Sequence, residues 1–238
     1  MKILTDLHTH TIASDHAFST VMEIVKCASE KGLEAVAITD HGPAMEDAPH
    51  PDHFHCLKML PRELYGVRVL TGCEANILDI NGTLDIPEKA LSVLDIVIAS
   101  VHNPLYRDFG TEDNTPMYMK VVENPYVDII GHSGNPQCRY DIDTVLRRAK
   151  ELHKFIEINE NTFRSRPQNI ELCREIALAA KRLGTSVVVN SDAHFATKVG
   201  DVSKAMDILK DIDFPEELIA NRSLEVLEKA VANRKKFR

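Results

Sequence analysis

Two histidines one residue apart, His8 and His10, are the first side chains with chemistry to offer. If they lie on a strand, positions i and i+2 share a face, and both imidazoles reach one metal ion. Asp192 and His194 repeat that spacing near the other end of the chain. Between them, His41 follows Thr39-Asp40, Glu74 follows Gly72-Cys73, His102 follows Ser100-Val101, and His132 follows Gly131. Neutral imidazoles and carboxylates are ligands for zinc, manganese or iron, so metal-dependent chemistry is within reach of this set. A lone pair carries little weight: 11 His in 238 residues yield about half an HxH pair by composition, and two occur. The second, His53-Phe54-His55, reads as helical, where i and i+2 point apart. Those two, with His50 and His153, are expected to be surface or hydrogen-bonded histidines.

The elements that must position the set show in the spacing of short apolar runs. These are Ile3–Leu7, Ala35–Thr39, Arg68–Leu70, Ile96–Val101, Val127–Ile130, Phe155–Ile158 and Ser186–Val189, with starts 28 to 33 residues apart. That period is one βα unit, because a buried parallel strand reads as a continuous run and its crossover needs a dozen or more residues. Seven repeats predict an α/β barrel, with one domain over residues 1–238. In such barrels function collects at the carboxyl ends of the strands. His8, His10, His41, Glu74, His102, His132, Asp192 and His194 fall at that end of six runs. As unrelated buried groups, each would need its own partner or lose about 1–3 kcal/mol.

Thr20 with Glu23 fits a capping box ahead of an apolar face at Val21, Ile24, Val25 and Ala28. Residues 141–152 and 169–183 read as similar crossover helices, and Asn81-Gly82 predicts a β-hairpin over 77–86. Two or three helical stretches follow His194. Specificity is expected in loops 43–60 and 103–118.

Composition narrows the rest. The formal net charge of −8 disfavours duplex nucleic acid as a partner, except through a local positive site. No run of about 18 apolar residues could span a bilayer, and the first residues lack the apolar core of a signal peptide, so a cytoplasmic location is expected. The five cysteines are odd in number and at least seventeen residues apart, which predicts core thiols rather than disulfides.

Taken together, Asp6-Leu-His8-Thr-His10, Thr39-Asp40-His41-Gly42-Pro43, Gly72-Cys-Glu74-Ala-Asn76, Ser100-Val-His102, Gly131-His132-Ser133-Gly134-Asn135-Pro136 and Asn190-Ser-Asp192-Ala-His194 resemble the motifs of the PHP (polymerase and histidinol phosphatase) superfamily. Ala48-Pro-His-Pro51 followed by His53-Phe-His55, and the hairpin expected from Asn76 to Asp85, look like its YcdX-type phosphatase group. The resemblance covers essentially the whole chain. Ser133-Gly134 stands where many relatives carry Pro-Gly. The resemblance implies a distorted TIM-like (β/α)7 barrel with three divalent metal ions. His8, His10, Glu74 and Asp192 would hold one ion, and Glu74, His102 and His132 a second, with Glu74 bridging. His16, His41 and His194 would hold the third, His16 entering through the resemblance alone. The group also suggests a homotrimer.

Three divalent ions with Glu74 and Asp192 leave a local charge of about +4, which suits a phosphate. The expected reaction is hydrolysis of small phosphomonoesters by a metal-bound hydroxide, with Glu74 and Asp192 as catalytic carboxylates and zinc as the metal that His-rich sites suit best, manganese or iron taking the same ligands. Ser100 and Cys73 are expected to pack rather than attack, and Asp40 to be exposed or to orient a ligand. Arg139, Arg164 and Lys198 follow strands at the same end and could neutralise the substrate phosphate, or serve as solvated loop charges. Alternatives are a histidinol phosphatase, a 3′–5′ nuclease like polymerase-associated PHP domains, and a metal-binding module without turnover.

Overall fold

The computed structural model describes residues 2–103, 105–108 and 113–235, with side chains up to 229. Within the loop 103–118, residues 104 and 109–112 therefore lie outside the described residues. The strands are β1 (Thr5–Asp6), β2 (Ala35–Ile38), β3 (Glu63–Leu64), β4 (Val67–Asn76), β5 (Ile96–Ser100), β6 (Ile129–Ile130), β7 (Phe155–Asn159) and β8 (Val187–Asn190). Seven run parallel in the order β1-β2-β4-β5-β6-β7-β8, one strand per expected run, and curl into a nearly closed barrel of a single domain. Between and after them lie α1 (Val21–Glu30), α2 (Asp52–Cys56), α3 (Glu88–Leu91), α4 (Thr115–Glu123), α5 (Ile142–Glu151), α6 (Thr162–Ser165), α7 (Ile170–Leu183), α8 (Ser203–Asp211) and α9 (Leu224–Lys235).

Every residue of β2, β5 and β8 is buried, as expected of strands covered on both faces. Leu7, Ala37, Leu70, Ile98, Ile129 and Val188 belong to one apolar cluster, and a larger one joins the strands to α4, α5 and α7. The Thr20–Glu23 capping box forms, and Asp141 caps α5 through the Thr144 N–H.

The longest strand departs from its run. β4 continues from Val67 to Asn76, pairing with β2 through Thr71 and with β5 from Gly72 onward. Gly72 is the crossover point, where an added Cβ would stand 2.7 Å from the Ile96 carbonyl oxygen and 2.8 Å from Thr39 Cγ2. This continuation carries Glu74 to the carboxyl end. β3 was not legible: it pairs antiparallel with β4 across Tyr65 and Gly66, at φ 52° and 76°. The hairpin expected over 77–86 is reduced to one bridge, Ile77 with Leu84, and its turn is tied by Asp79 to the Asn81 and Thr83 N–H groups.

Between β8 and β1 no regular ladder forms, and asparagine side chains take its place. Asn221 Nδ2 donates to the Thr5 and Val189 carbonyls, its Oδ1 accepts from Val189 N–H, and Asn190 Oδ1 accepts from Leu7 N–H. Nearby, the buried Asp6 carboxylate accepts from Ser191 N–H, Ser191 O–H and Gly200 N–H.

The expectation of core thiols holds for Cys73, Cys138 and Cys173, but Cys27 is half-buried and Cys56 exposed. Cys56 lies on α2, a five-residue helix that buries only Phe54, and Cys27 flanks the buried face of α1 formed by Ile24, Val25 and Ala28. Among the described residues no helix is long and apolar enough to cross a membrane.

Candidate metal centre

The carboxyl ends of the strands converge on one side chain. Glu74 is fully buried, bridges to His41 beyond the end of β2, and pairs with Ile98 of β5. Its Oε2 lies 3.3 Å from His8 Nε2, 3.6 Å from His10 Nε2 and 2.8 Å from His41 Nδ1. Its Oε1 lies 2.8 Å from His132 Nε2 and 3.3 Å from His102 Nε2. Asp192 Oδ1 stands 3.3 Å from His10 Nε2, 3.6 Å from His8 Nε2 and 3.5 Å from His194 Nδ1. Three overlapping groups have donor atoms within 4.8 Å of one another: His8 with His10 and Glu74, His10 with His41 and His194, and His41 with Glu74 and His102. His16 is outside these groups, with its Nε2 3.1 Å from His41 Nε2 and its Nδ1 bonded to Asp47. His132 and Asp192 adopt left-handed backbone conformations, φ 22° and 53°. Such strain costs about 1–3 kcal/mol and collects at functional sites.

The hydrogen bonds behind the ring test whether a cation fits. His8 Nδ1 is 2.7 Å from Glu157 Oε1, a pure acceptor when ionised, so Nδ1 carries the proton. The His8 Nε2 lone pair of the neutral ring then faces the oxygens of Glu74 and Asp192, lone pair against lone pair. His102 repeats the arrangement. Its Nδ1 is 2.6 Å from Asn76 Oδ1, and Asn76 Nδ2 donates to the Gly42 carbonyl and Asp85. The His102 Nε2 therefore also faces Glu74 as a lone pair. Among buried atoms without a hydrogen-bond partner are His8 Nε2, both nitrogens of His10, His41 Nδ1 and Glu74 Oε2. Imidazole and carboxylate donors, oriented from behind and unpartnered in front, fit divalent metal ions.

In the protein alone, a proton stands in for that charge. Burial lowers the His8 pKa, but Glu157, Glu74 and Asp192 outweigh it and hold the ring well above the ordinary histidine value. Burial works to raise Glu74, yet His8, His102 and His41 hold it well below the usual carboxylate range. Asp192 is likewise held well below against its burial, by His8, His10 and Arg166. Burial, reinforced by His41, pushes His10 well down, so its ring is neutral. Burial and Arg166 lower His132.

The remaining expected residues divide. Asp40 is buried, accepting from Thr11 N–H, Thr11 O–H and Ser14 O–H, and so ties the turn that leads to His16. Burial drives the Cys73 thiol well above its ordinary value, as suits a packing residue. His53 and His55 lie outside the three groups, and His55 Nε2 bonds Lys58.

A cavity of about 620 Å³ opens onto His16, His41, Glu74, His102, Asp192 and His194. Arg164 and Lys198 are on its wall, but Arg164 is bound to Glu160 and Asp201, and Lys198 leans on Asp201 at 3.7 Å. Arg139 is exposed and lines neither this cavity nor the smaller one beside it. Arg166, which sequence reasoning missed, reaches Asp192 Oδ2 at 3.4 Å and lines both. Glu157, Asn76 and Asp47 were given no role either; Glu157 on the sixth run and Asn76 at the end of the third motif carried a signal in their strand-end positions, and Asp47 none.

Comparison with known proteins agrees with this geometry. The PHP domain profile matches residues 6–175. A protein of Acetivibrio thermocellus named "probable phosphatase" is 46% identical over 235 residues, 99% of this chain and 98% of its own. Another with that name, from Caldanaerobacter subterraneus subsp. tengcongensis, is 46% identical over 99% of this chain and 94% of its own. Among solved structures, the histidinol phosphate phosphatase of Lactococcus lactis, complexed with zinc, L-histidinol and phosphate, superposes with a TM-score of 0.61. It is 20% identical, over 90% of this chain and 95% of that one, a likeness of fold.

Proposed function

This chain belongs to the PHP domain family, and on that premise we propose that it is a metal-dependent phosphatase acting on small phosphomonoesters. The observation that carries this reading is Glu74, a buried carboxylate within 3.6 Å of five imidazole nitrogens. Three ions are proposed: one held by His8, His10, Glu74 and Asp192, one by Glu74, His102 and His132, and one by His16, His41 and His194. Zinc suits this donor set, and its presence in the Lactococcus lactis structure supports that choice. Bound divalent ions would supply the Lewis acidity that polarises a phosphoryl group and makes water nucleophilic near neutral pH.

The protein's own part is positioning and charge. Glu157 and Asn76 keep the protons of His8 and His102 on Nδ1, turning Nε2 inward. Asn159, Asn161 and Arg166 occupy Asp192 Oδ2 and leave Oδ1 facing the histidines. Arg166, paired with Asp192, is proposed to neutralise the substrate phosphate, with Arg164 and Lys198 on the cavity wall adding positive charge.

Phosphate release from an aryl phosphate, measured beside elemental analysis, tests the reading. About three ions per chain and turnover that disappears with the metal are expected. Turnover that survives full metal removal would overturn it.

A further inference from the structure

Beside the main cavity lies a chamber of about 280 Å³, with His102 and His132 in its wall and Arg166 at the boundary between the two. Its chemistry differs from that of the mouth. Five carboxamides, Asn103, Asn135, Gln137, Gln168 and Asn169, line it, and no carboxylate is among its described lining residues. Asn169 is 5% exposed and its Oδ1 is buried without a partner. It closes the 3-10 turn Pro167–Asn169 that runs straight into α7, and its side chain makes no cap bond to that helix. Asn135 Oδ1 accepts from Gln137 N–H, which leaves its amide nitrogen as a donor.

Resting on the phosphatase reading, we infer that this chamber receives the alcohol part of the substrate, and that this part is a neutral polyhydroxylated chain or ring. Carboxamides donate and accept at once, as hydroxyl groups do. A second anion would compete with the phosphate for Arg166, the one arginine or lysine among the chamber's described lining residues. An amine would find no carboxylate among the described lining residues. At about 30 Å³ per water, the volume corresponds to roughly nine waters, space for a polyol of four to six carbons. In the hydrolysis, a water oxygen bonds phosphorus, the ester P–O bond breaks, and the departing oxygen takes a proton. The polyol is thus left neutral among neutral carboxamides.

The experiment compares a pentitol phosphate with pentyl phosphate, which has the same chain length without the hydroxyls, using metal-loaded protein and an aryl phosphate for reference. The pentitol ester is expected to be preferred in kcat/KM by at least about tenfold, since a site built to hydrogen-bond hydroxyls rejects the analogue lacking them. In the double variant Gln137→Leu/Gln168→Leu, two exposed positions, the preference should fall about tenfold, mainly through KM. Equal use of the two esters, an unchanged ratio in the variant, or a preference for histidinol phosphate would each overturn the inference. If the aryl ester is not hydrolysed, the phosphatase reading fails on its own. Calorimetric binding of the free pentitol, weakened in the double variant, then still decides the chamber: such binding supports a polyol site and its absence refutes one.

Discussion

Buried polar side chains crowd two regions of this barrel, the seam between β8 and β1 and the ring around Glu74, and the two treat them in opposite ways. At the seam each group finds its partner within the chain. Asn221 bonds backbone on both strands, and Asp6 accepts three hydrogen bonds. Around Glu74, residues no more exposed leave nitrogen and oxygen atoms unpartnered and aimed at one another. Burial is the same; satisfaction differs. A satisfied network holds a fold together, whereas an unsatisfied one, oriented from behind by Glu157 and Asn76, is complete only with something bound.

That contrast is open to attack by mutation. Glu74→Gln strikes the centre of the ring and should have the largest effect. It should lower turnover by more than the roughly 100-fold that losing an orienting partner costs and reduce the metal content per chain. Kinetics and elemental analysis check both; an active, fully loaded variant would break the contrast at its centre. Asn221→Ala strikes the seam. It strands the Thr5 carbonyl and both backbone groups of Val189, and should lower the unfolding free energy by about 3 kcal/mol with metal content unchanged. Denaturant titration measures the first and elemental analysis the second.

How much of each region was legible beforehand follows from the same distinction. The ring was legible because its members stand at strand ends, where periodicity in seven runs marks a single face of the barrel. His16 was not, since it lies in a turn whose geometry depends on Asp40 accepting from Thr11 and Ser14. Arg166 was hidden because sequence offers nothing to separate it from Arg164; only the ion pairs made by Arg164 do. The seam was invisible, since the asparagine that replaces a missing ladder is 32 residues from Val189. β3 escaped because Tyr65 occupies a left-handed position usually marked by Asn or Gly.

Arg166 stands at the edge of the ring, touching it through Asp192 and lining both cavities. Arg166→Ala should raise KM for an aryl phosphate about tenfold, the smaller end of what a charge-assisted hydrogen bond contributes. The metal content should stay near that of the unmodified protein. Initial-rate kinetics checks it, and an effect confined to kcat would move Arg166 from phosphate contact to the support of Asp192.

The smallest effect predicted is the most diagnostic, because its sign separates the regions. His10 is fully buried, neutral in the protein alone, and neither ring nitrogen has a hydrogen-bond partner. Each unpartnered buried nitrogen works against folding, and an apolar side chain of similar volume removes that penalty. In chelator, His10→Leu should therefore leave the unfolding free energy unchanged or raise it by up to about 1 kcal/mol. With zinc present the order should reverse, since the unmodified protein gains stability from metal that the variant no longer binds fully. Paired denaturation curves with and without metal read both signs in one experiment. If His10→Leu loses about 3 kcal/mol in chelator, as Asn221→Ala should, then His10 is part of the scaffold and the division between a satisfied seam and an unsatisfied ring does not hold.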